Sequence, residues 1–405
     1  EGSYPYFLKL DCDDNMDCFR RHSLRLIFSN YCRLFHCESI ESLERSIPKT
    51  LDDFGKFPRH PIEQPENARM LKVTIAGCPN AGKSTLLNQL VKWKISAVSS
   101  KVHTTRRNIV GVYCENETQI KFFDTPGLIS KAHLVRHNLE ISFMNDLKFS
   151  TQNSDIIAVL IDASNHRERS KLNPGILELL RYYPDKESIL ILNKIDAIKE
   201  KRSLIEIVSN LTGGFVDGQK ISDNHENESQ TKFEIKKGKF EKLFKKTEKY
   251  LNYRDRDMTL EDELMRNVWP KFSKCFMISS LYNDGIDDLR KFFVEKAQLN
   301  SWIYDARTVT SQNPKSLIID AIREVCLETF KQEIPYDLRF QIVMWDIDEI
   351  GNIYLVIDVF IKKKFLPLLI GPKGSNISKI VNESRKNLSS IFRCDVSLKI
   401  AAKSF

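Results

Sequence analysis

The stretch that most constrains this chain is Gly77-Cys78-Pro79-Asn80-Ala81-Gly82-Lys83-Ser84-Thr85, set between the apolar run LKVTIAG at 71–77 and the helix-favouring LLNQLV. The pattern is G-x-x-x-x-G-K-[ST] between a strand and a helix. Small residues there let backbone N–H groups wrap a phosphate, while Lys83 meets its outer oxygens and Ser84 takes a magnesium ion. Such a loop needs a sheet covered on both faces, and the chain supplies matching continuous apolar runs at 109–114, 118–124, 155–162, 188–193 and 274–279. An α/β domain with a mixed, mostly parallel sheet is therefore predicted over 70–300. The 405 residues leave room for one or two further units.

A phosphate loop does not name the base, but two other strand ends do. Run 118–124 ends in Asp124-Thr125-Pro126-Gly127, which suits a carboxylate holding the magnesium shell and a glycine N–H sensing a terminal phosphate. Run 188–193 ends in Asn193-Lys194-Ile195-Asp196. The Asp196 carboxylate can accept both guanine N1–H and N2–H, a pairing that adenine cannot return without leaving buried polar groups unmatched.

With these three motifs in order, the sequence resembles the translation-factor-like GTPases, and the Gly-x-Pro-Asn-Ala-Gly-Lys-Ser spelling is similar to their Era and EngA/MnmE branch. The resemblance implies a P-loop GTPase domain binding GTP and Mg²⁺ through the 77–85 loop, Asp124, Gly127, Asn193, Lys194 and Asp196. It also implies a guanine-backing element at Ser279-Ser280-Leu281, where Ser280 replaces the usual Ala. Lys101-Val102-His103-Thr104-Thr105-Arg106 resembles the first switch, with Thr105, or alternatively Thr104, reaching the metal beside Ser84 and Asp124. Ras-like enzymes place a water-orienting Gln after the Asp-x-x-Gly glycine, whereas this chain has Leu128. Slow intrinsic hydrolysis follows, with Asn80, Lys83, Thr105 and Gly127 as the candidate catalytic set. The branch further implies a K⁺ ion held partly by Asn80; the plain alternative is that Asn80 caps the loop.

The last unit, 315–405, is predicted as α+β. A helical period at 315–331 is followed by the alternations Phe340, Ile342, Met344 and Ile353, Leu355, Ile357, Val359, then by a short apolar helix at 365–370, the loop Gly371-Pro372-Lys373-Gly374, a helix from Ser375 and a strand near 396–400. This order, α-β-β-α-α-β with Gly-x-x-Gly between two helices, is that of a type II KH fold, whose loop amides approach a single-stranded RNA backbone closely. Charge agrees: 362–405 carries ten Lys or Arg against two acids, whereas 318–361 carries three against nine. Candidate RNA contacts are Lys362, Lys363, Lys364, Ile370, Gly371, Pro372, Lys373, Gly374 and Lys379. Ile322-Arg323-Glu324, Glu333-Ile334-Pro335-Tyr336 and Leu369–Gly374 are similar to the KH unit of Era GTPases. That family implies binding of small-subunit ribosomal RNA near its 3′ end, assistance to assembly of a ribosomal subunit precursor, and a monomer.

Residues 1–69 read as an extension ahead of the first strand. From Met16, MDCFRRHSLRLIFSNYCRLFHC has four Arg, two Ser and one acid, the composition of an organelle transit peptide and equally of an ordinary amphipathic helix. On the first reading translation starts at Met16, and a mitochondrial location follows, in the matrix and peripheral at the inner membrane, with another organelle as alternative. A Gly-, Asn- and Lys-rich stretch at about 213–256 reads as a solvated insertion, and 301–314 as a linker. No window holds the 18 to 20 or so apolar residues of a membrane span. Nine scattered cysteines without Cys-x-x-Cys argue against a disulfide framework or a zinc site. The function predicted is a GTP-hydrolysing RNA chaperone. The rivals are a tRNA-modifying GTPase of the MnmE type, disfavoured by an Ala-Ala-Lys-Ser-Phe end without cysteine, and an RNA-binding module whose nucleotide is structural. EngA is disfavoured because the phosphate loop occurs once.

Overall fold

The computed structural model describes residues 45–56, 62, 64–98, 109–125, 142–221, 267–330 and 334–405, and Arg45–Phe405 fall in one compact unit. Strands β1 (Arg69–Gly77), β2 (Ile109–Glu115), β3 (Thr118–Asp124), β4 (Ile156–Asp162), β5 (Glu187–Asn193) and β8 (Phe272–Met277) form a sheet in the order β2-β3-β1-β4-β5-β8. All neighbours are parallel except β2, which turns back on β3, and the two-residue β9 (Gln298–Leu299), which pairs antiparallel with the start of β1. Every residue of β4 is buried, as a strand covered on both faces requires. The register sets Ile75 beside Asp124, Gly77 beside Leu160 and Asp162 beside Asn193. Parallel strands thus deliver all three sequence motifs to one edge, the edge where open α/β sheets bind ligands.

Helices α2 (Lys83–Val91) and α6 (Ile286–Lys296) lie on the face that contains Leu86, Leu90, Phe122 and Phe293; α4 (Pro174–Tyr182) and α5 (Ser203–Thr212) pack with Ile157, Val159 and Leu190 on the other. Helix α3 (Ser142–Gln152) precedes β4, and Leu147 joins that second cluster. The stretch expected to be solvated from Gly213 begins differently. After Gly213 stops α5 in a left-handed conformation, β6 (Phe215–Val216) and β7 (Gln219–Lys220) make a small hairpin. Asp217 N donates to Phe272 O at 2.8 Å, and Val216 and Ile221 pack on the core. The remainder of that stretch, 222–256, lies outside the described residues.

Beyond Asn313, whose side chain caps α7 (Pro314–Thr329), a second sheet runs β10 (Arg339–Ile347), β11 (Ile353–Ile361), β12 (Val396–Ser404), the first pair antiparallel and the second parallel. Helices α8 (Leu366–Ile370) and α9 (Ser375–Phe392) separate β11 from β12, completing the α-β-β-α-α-β order. One expectation is corrected here. Met344 does not share the inner face with Phe340 and Ile342, because a bulge at Val343 shifts the register and turns Trp345 and Ile347 inward instead.

The two sheets are joined by contacts that the local sequence does not announce. Trp93 Nε1 donates to Ile391 O at 2.7 Å, and the Arg393 guanidinium lies 3.4 Å from the centre of the Trp93 ring. Lys94 Nζ reaches Glu324 Oε1 at 3.2 Å and Asn387 Oδ1 at 2.8 Å. Ahead of β1, Arg45 donates to Val91 O and Val112 O, Ile47 is buried, and Lys49 Nζ donates to Gly351 O at 2.7 Å, before helix α1 (Leu51–Lys56). One apolar cluster runs without a break from Val73 and Leu90 through Ile47 and Val309 to Leu317 and Ile357.

Candidate functional site

The 77–85 loop is held from behind by Asn193. Its Nδ2 donates to Ala81 O at 2.8 Å, and its Oδ1 accepts from Ser280 N at 2.9 Å. One buried amide therefore staples the phosphate loop to the Ser279–Leu281 element, and all three predicted pieces meet. Gly82, at φ 96°, caps α2; a Cβ there would sit 2.4 Å from Asn193 Nδ2. Asn80 also has positive φ, 62°. Lys83 is buried and donates to Cys78 O at 2.8 Å, so its ammonium already lies inside the loop. Burial lowers its pKa, an effect that Asp124 opposes, and a phosphate would favour the charged form further. Cys78 is pushed up to about 12 by burial and remains a thiol.

At the guanine end, Asp196 Oδ1 accepts from Ser279 Oγ at 2.5 Å, which orients the carboxylate. Lys194, in a left-handed conformation, reaches Asp162 Oδ2 at 2.6 Å. Leu281 is 68% exposed, as expected where the backbone rather than the side chain faces a base. Asp162 was not singled out from the sequence, although its place at the end of β4 beside Asn193 was the available signal. Its Oδ1 is occupied by Ser164 N and Oγ, so the carboxylate is fully used in fixing this corner.

Asp124 Oδ2 accepts from Ser84 Oγ at 2.8 Å and from Ser96 Oγ at 3.2 Å, while the buried Oδ1 has no hydrogen-bond partner among the described residues. An orphaned carboxylate oxygen beside a hydroxyl is the donor set a magnesium ion wants when phosphates and waters complete its octahedron, so the residues fit the ion. No group of three or more His, Cys, Asp or Glu that could hold a metal occurs among the described residues, and a phosphate-borne magnesium does not need one. Burial raises the pKa of Asp124, opposed by Lys83, Ser84 and Ser96. Ser96 was missed by sequence reasoning. It belongs to the strap Trp93–Val98, which Asn88 Oδ1 fixes by accepting from Ile95 N and Ser96 N. Thr104, Thr105, Gly127 and Leu128 lie outside the described residues.

The Gly371–Gly374 loop joins α8 to α9 with unusual conformations at three of its four residues. Gly371 has φ 75° and ψ 171°, Lys373 has φ 51°, and Gly374 has φ 79°. A Cβ at Gly371 would fall 2.7 Å from Asn376 Cγ and 2.8 Å from Asn376 N, so the tight approach requires glycine. Asn376 Nδ2 in turn donates to Leu368 O at 2.8 Å and closes the turn. Pro372, Lys373 and Lys379 are exposed, and Ile370 is partly so. Of the upstream lysines, Lys362 pairs with Asp337 at 2.6 Å, Lys364 lies over the Phe365 ring and Lys363 is exposed. The loop thus offers exposed cations around a backbone that a phosphate can reach, which is the chemistry of a polynucleotide clamp.

Comparison with known proteins agrees with this geometry. The family model described as 50S ribosome-binding GTPase matches residues 72–194. The Caenorhabditis elegans protein named "GTPase Era, mitochondrial" is 28% identical over 396 residues, covering 91% of this chain and 94% of its own. A crystal structure of Era in complex with MgGDPNP and nucleotides 1506–1542 of 16S ribosomal RNA superposes with a TM-score of 0.58 at 23% identity, over 84% of this chain and 94% of that one, a likeness of fold. The Danio rerio "GTPase Era, mitochondrial" is 37% identical over 357 residues, covering 88% of this chain and 80% of the relative. At that identity and coverage, the chain belongs to the Era family of GTPases.

Proposed function

We propose that this protein is a GTP-hydrolysing RNA chaperone of mitochondria that binds small-subunit ribosomal RNA near its 3′ end and assists assembly of that subunit. The observation that carries the reading is the pairing, in one compact unit, of a stapled guanine corner with an exposed Gly-x-x-Gly loop. The related Era that superposes on this chain was solved with nucleotides 1506–1542 of 16S ribosomal RNA, and relatives from Danio rerio, Salmo salar and Caenorhabditis elegans are named mitochondrial; both support it.

On this reading, GTP sits along Gly77–Thr85 with Mg²⁺ at Ser84, Asp124 and Thr105, guanine on Asp196 and Lys194, and K⁺ at Asn80 in place of a catalytic side chain at Leu128. RNA meets Lys373, Lys379 and the backbone of Gly371–Gly374. GTP binding orders the switches, and hydrolysis releases the ribosomal intermediate. The protein works as a monomer in the matrix, peripheral at the inner membrane; no helix among the described residues is long and apolar enough to cross one. Crosslinking in intact cells, followed by sequencing of the attached RNA, tests the reading: enrichment of the 3′ end of mitochondrial small-subunit rRNA is expected, and enrichment of tRNA alone would replace it with the MnmE-type reading.

A further inference from the structure

Helix α9 carries its cations in a pattern. Lys379 and Lys386 stand seven residues, two turns, apart on one exposed face with Asn382 between them, and seven residues further on, past Ser390, comes the exposed Arg393, the left-handed residue that caps the helix. The stripe starts one to two turns beyond the Gly371–Gly374 loop and spans about 21 Å from Lys379 to Arg393 at a rise of 1.5 Å per residue. Glu383 is the acid on this face, and it pairs with Lys386 at 3.1 Å as an exposed i,i+3 pair that holds the lysine only weakly.

The stripe does not end in open solvent. Arg393 stands at the mouth of a cleft of about 610 Å³ between α9 and α2, lined also by Lys92, Lys94, Arg290, Thr85 and Gln89 and by no acidic side chain. Arg393 is preorganised there, its guanidinium carbon over the Trp93 ring and its Nη2 donating to Lys92 O at 3.3 Å. Arg290 is held by Leu90 O, Gln89 O and the Asp287 carboxylate, and Lys94 by Glu324, so the cations without a carboxylate partner among the described residues are Lys92 and Arg393. Lys92 is exposed. A cleft lined by one sign of charge concentrates the opposite charge within it.

We infer that the Lys379–Lys386–Arg393 stripe and this cleft form a second polynucleotide subsite, along which the RNA backbone continues from the Gly-x-x-Gly loop to the nucleotide-binding half of the molecule. The inference rests on the RNA-binding reading above and names how far the RNA extends. A single polyanionic chain is the ligand that fits a row of cations at regular spacing, whereas a free nucleotide would need only the cleft. A strand seated there touches α2, the helix that begins at Lys83, and so meets the GTP half by direct contact.

The test uses the full chain and two single-stranded RNAs from the 3′ end of small-subunit rRNA sharing one loop-binding segment. One is about five nucleotides long, to fill the loop clamp, and the other about fifteen, to reach the cleft. Binding is followed by fluorescence anisotropy across a salt series. Lys386→Gln and Lys92→Asn should each lower the salt slope for the long RNA by about 0.7, a roughly fourfold loss at 0.15 M salt, and leave the short RNA unchanged. Asparagine is chosen at position 92 because the residue there is left-handed. Arg385→Gln, off the stripe, should change neither. Unaltered slopes for the long RNA, or equal weakening of both RNAs, would overturn the subsite while leaving the loop reading intact. Failure of the unaltered protein to bind either RNA would remove both.

Discussion

Substituting Gly82 by Ala puts the Asn193 staple under direct test. Two costs arise. An Ala at φ 96° is strained by about 1–3 kcal/mol, as residues held outside the favoured backbone regions are. Its Cβ would also sit 2.4 Å from Asn193 Nδ2, so the amide must move and surrender its bonds to Ala81 O and from Ser280 N. Two buried hydrogen bonds lost with their partners left unpaired cost about 1–3 kcal/mol each. The sum is about 3–9 kcal/mol, enough to lower the melting temperature markedly even without nucleotide. Gly218→Ala is the control: φ is 70°, yet a Cβ there meets nothing within 4 Å, so only the backbone strain remains. Denaturant unfolding of both variants without ligand, with guanine nucleotide affinity measured alongside, separates the two costs. Equal destabilisation by the two substitutions would refute the staple, because strain alone would then account for Gly82.

Asp196→Asn should weaken GTP binding by several kcal/mol and improve binding of xanthosine triphosphate, measured by competition, since the amide retains an oxygen for Ser279 only by turning a donor toward guanine; equal wild-type affinity for ATP and GTP would defeat the assignment. Replacing Pro372-Lys373 by Asp-Asp should abolish most RNA binding at near-physiological salt while GTP turnover without RNA persists, as carboxylates would face phosphates across the tight Gly371 turn. Because burial raises the Asp124 carboxyl pKa, its proton returns at a higher pH than an ordinary aspartate's; magnesium must displace that proton, so Mg²⁺ affinity by calorimetry should fall as the medium turns mildly acidic, and a pH-independent affinity above the usual aspartate range would contradict it. GTP turnover should be faster in K⁺ than in Na⁺ at equal ionic strength, with Asn80→Ala removing the difference; identical rates would move the missing charge to a partner.

What the sequence made legible was local chemistry at strand ends. Gly77–Thr85, Asp124 and Asn193–Asp196 each announce themselves by residue type and by the apolar run before them, and a parallel sheet then has little choice but to gather them. The element order after Asn313 was readable for the same reason. Less visible were features made by distance. Ser96 reaches Asp124 only because Asn88 folds the strap back, and Trp93 meets Ile391 across 298 positions of chain. Composition misled at Gly213–Ile221, where polar, glycine-rich sequence hides two apolar residues that pack. Alternation misled at Met344, because a single extra residue in a strand inverts everything after it.

The contact between Lys49 and Gly351 has a consequence for how the molecule is made. The partners are 302 positions apart, and Ser46 likewise bridges to Thr308. At synthesis rates of about 5–20 residues per second, the segment around Ile47 leaves the ribosome roughly 15–60 s before Gly351 does. During that interval Ile47 has the start of the first sheet to lean on but not the surface that closes over it. The first residues of this unit are thus among the last to find their final place, and a growing chain carries an unclosed seam until its second sheet arrives.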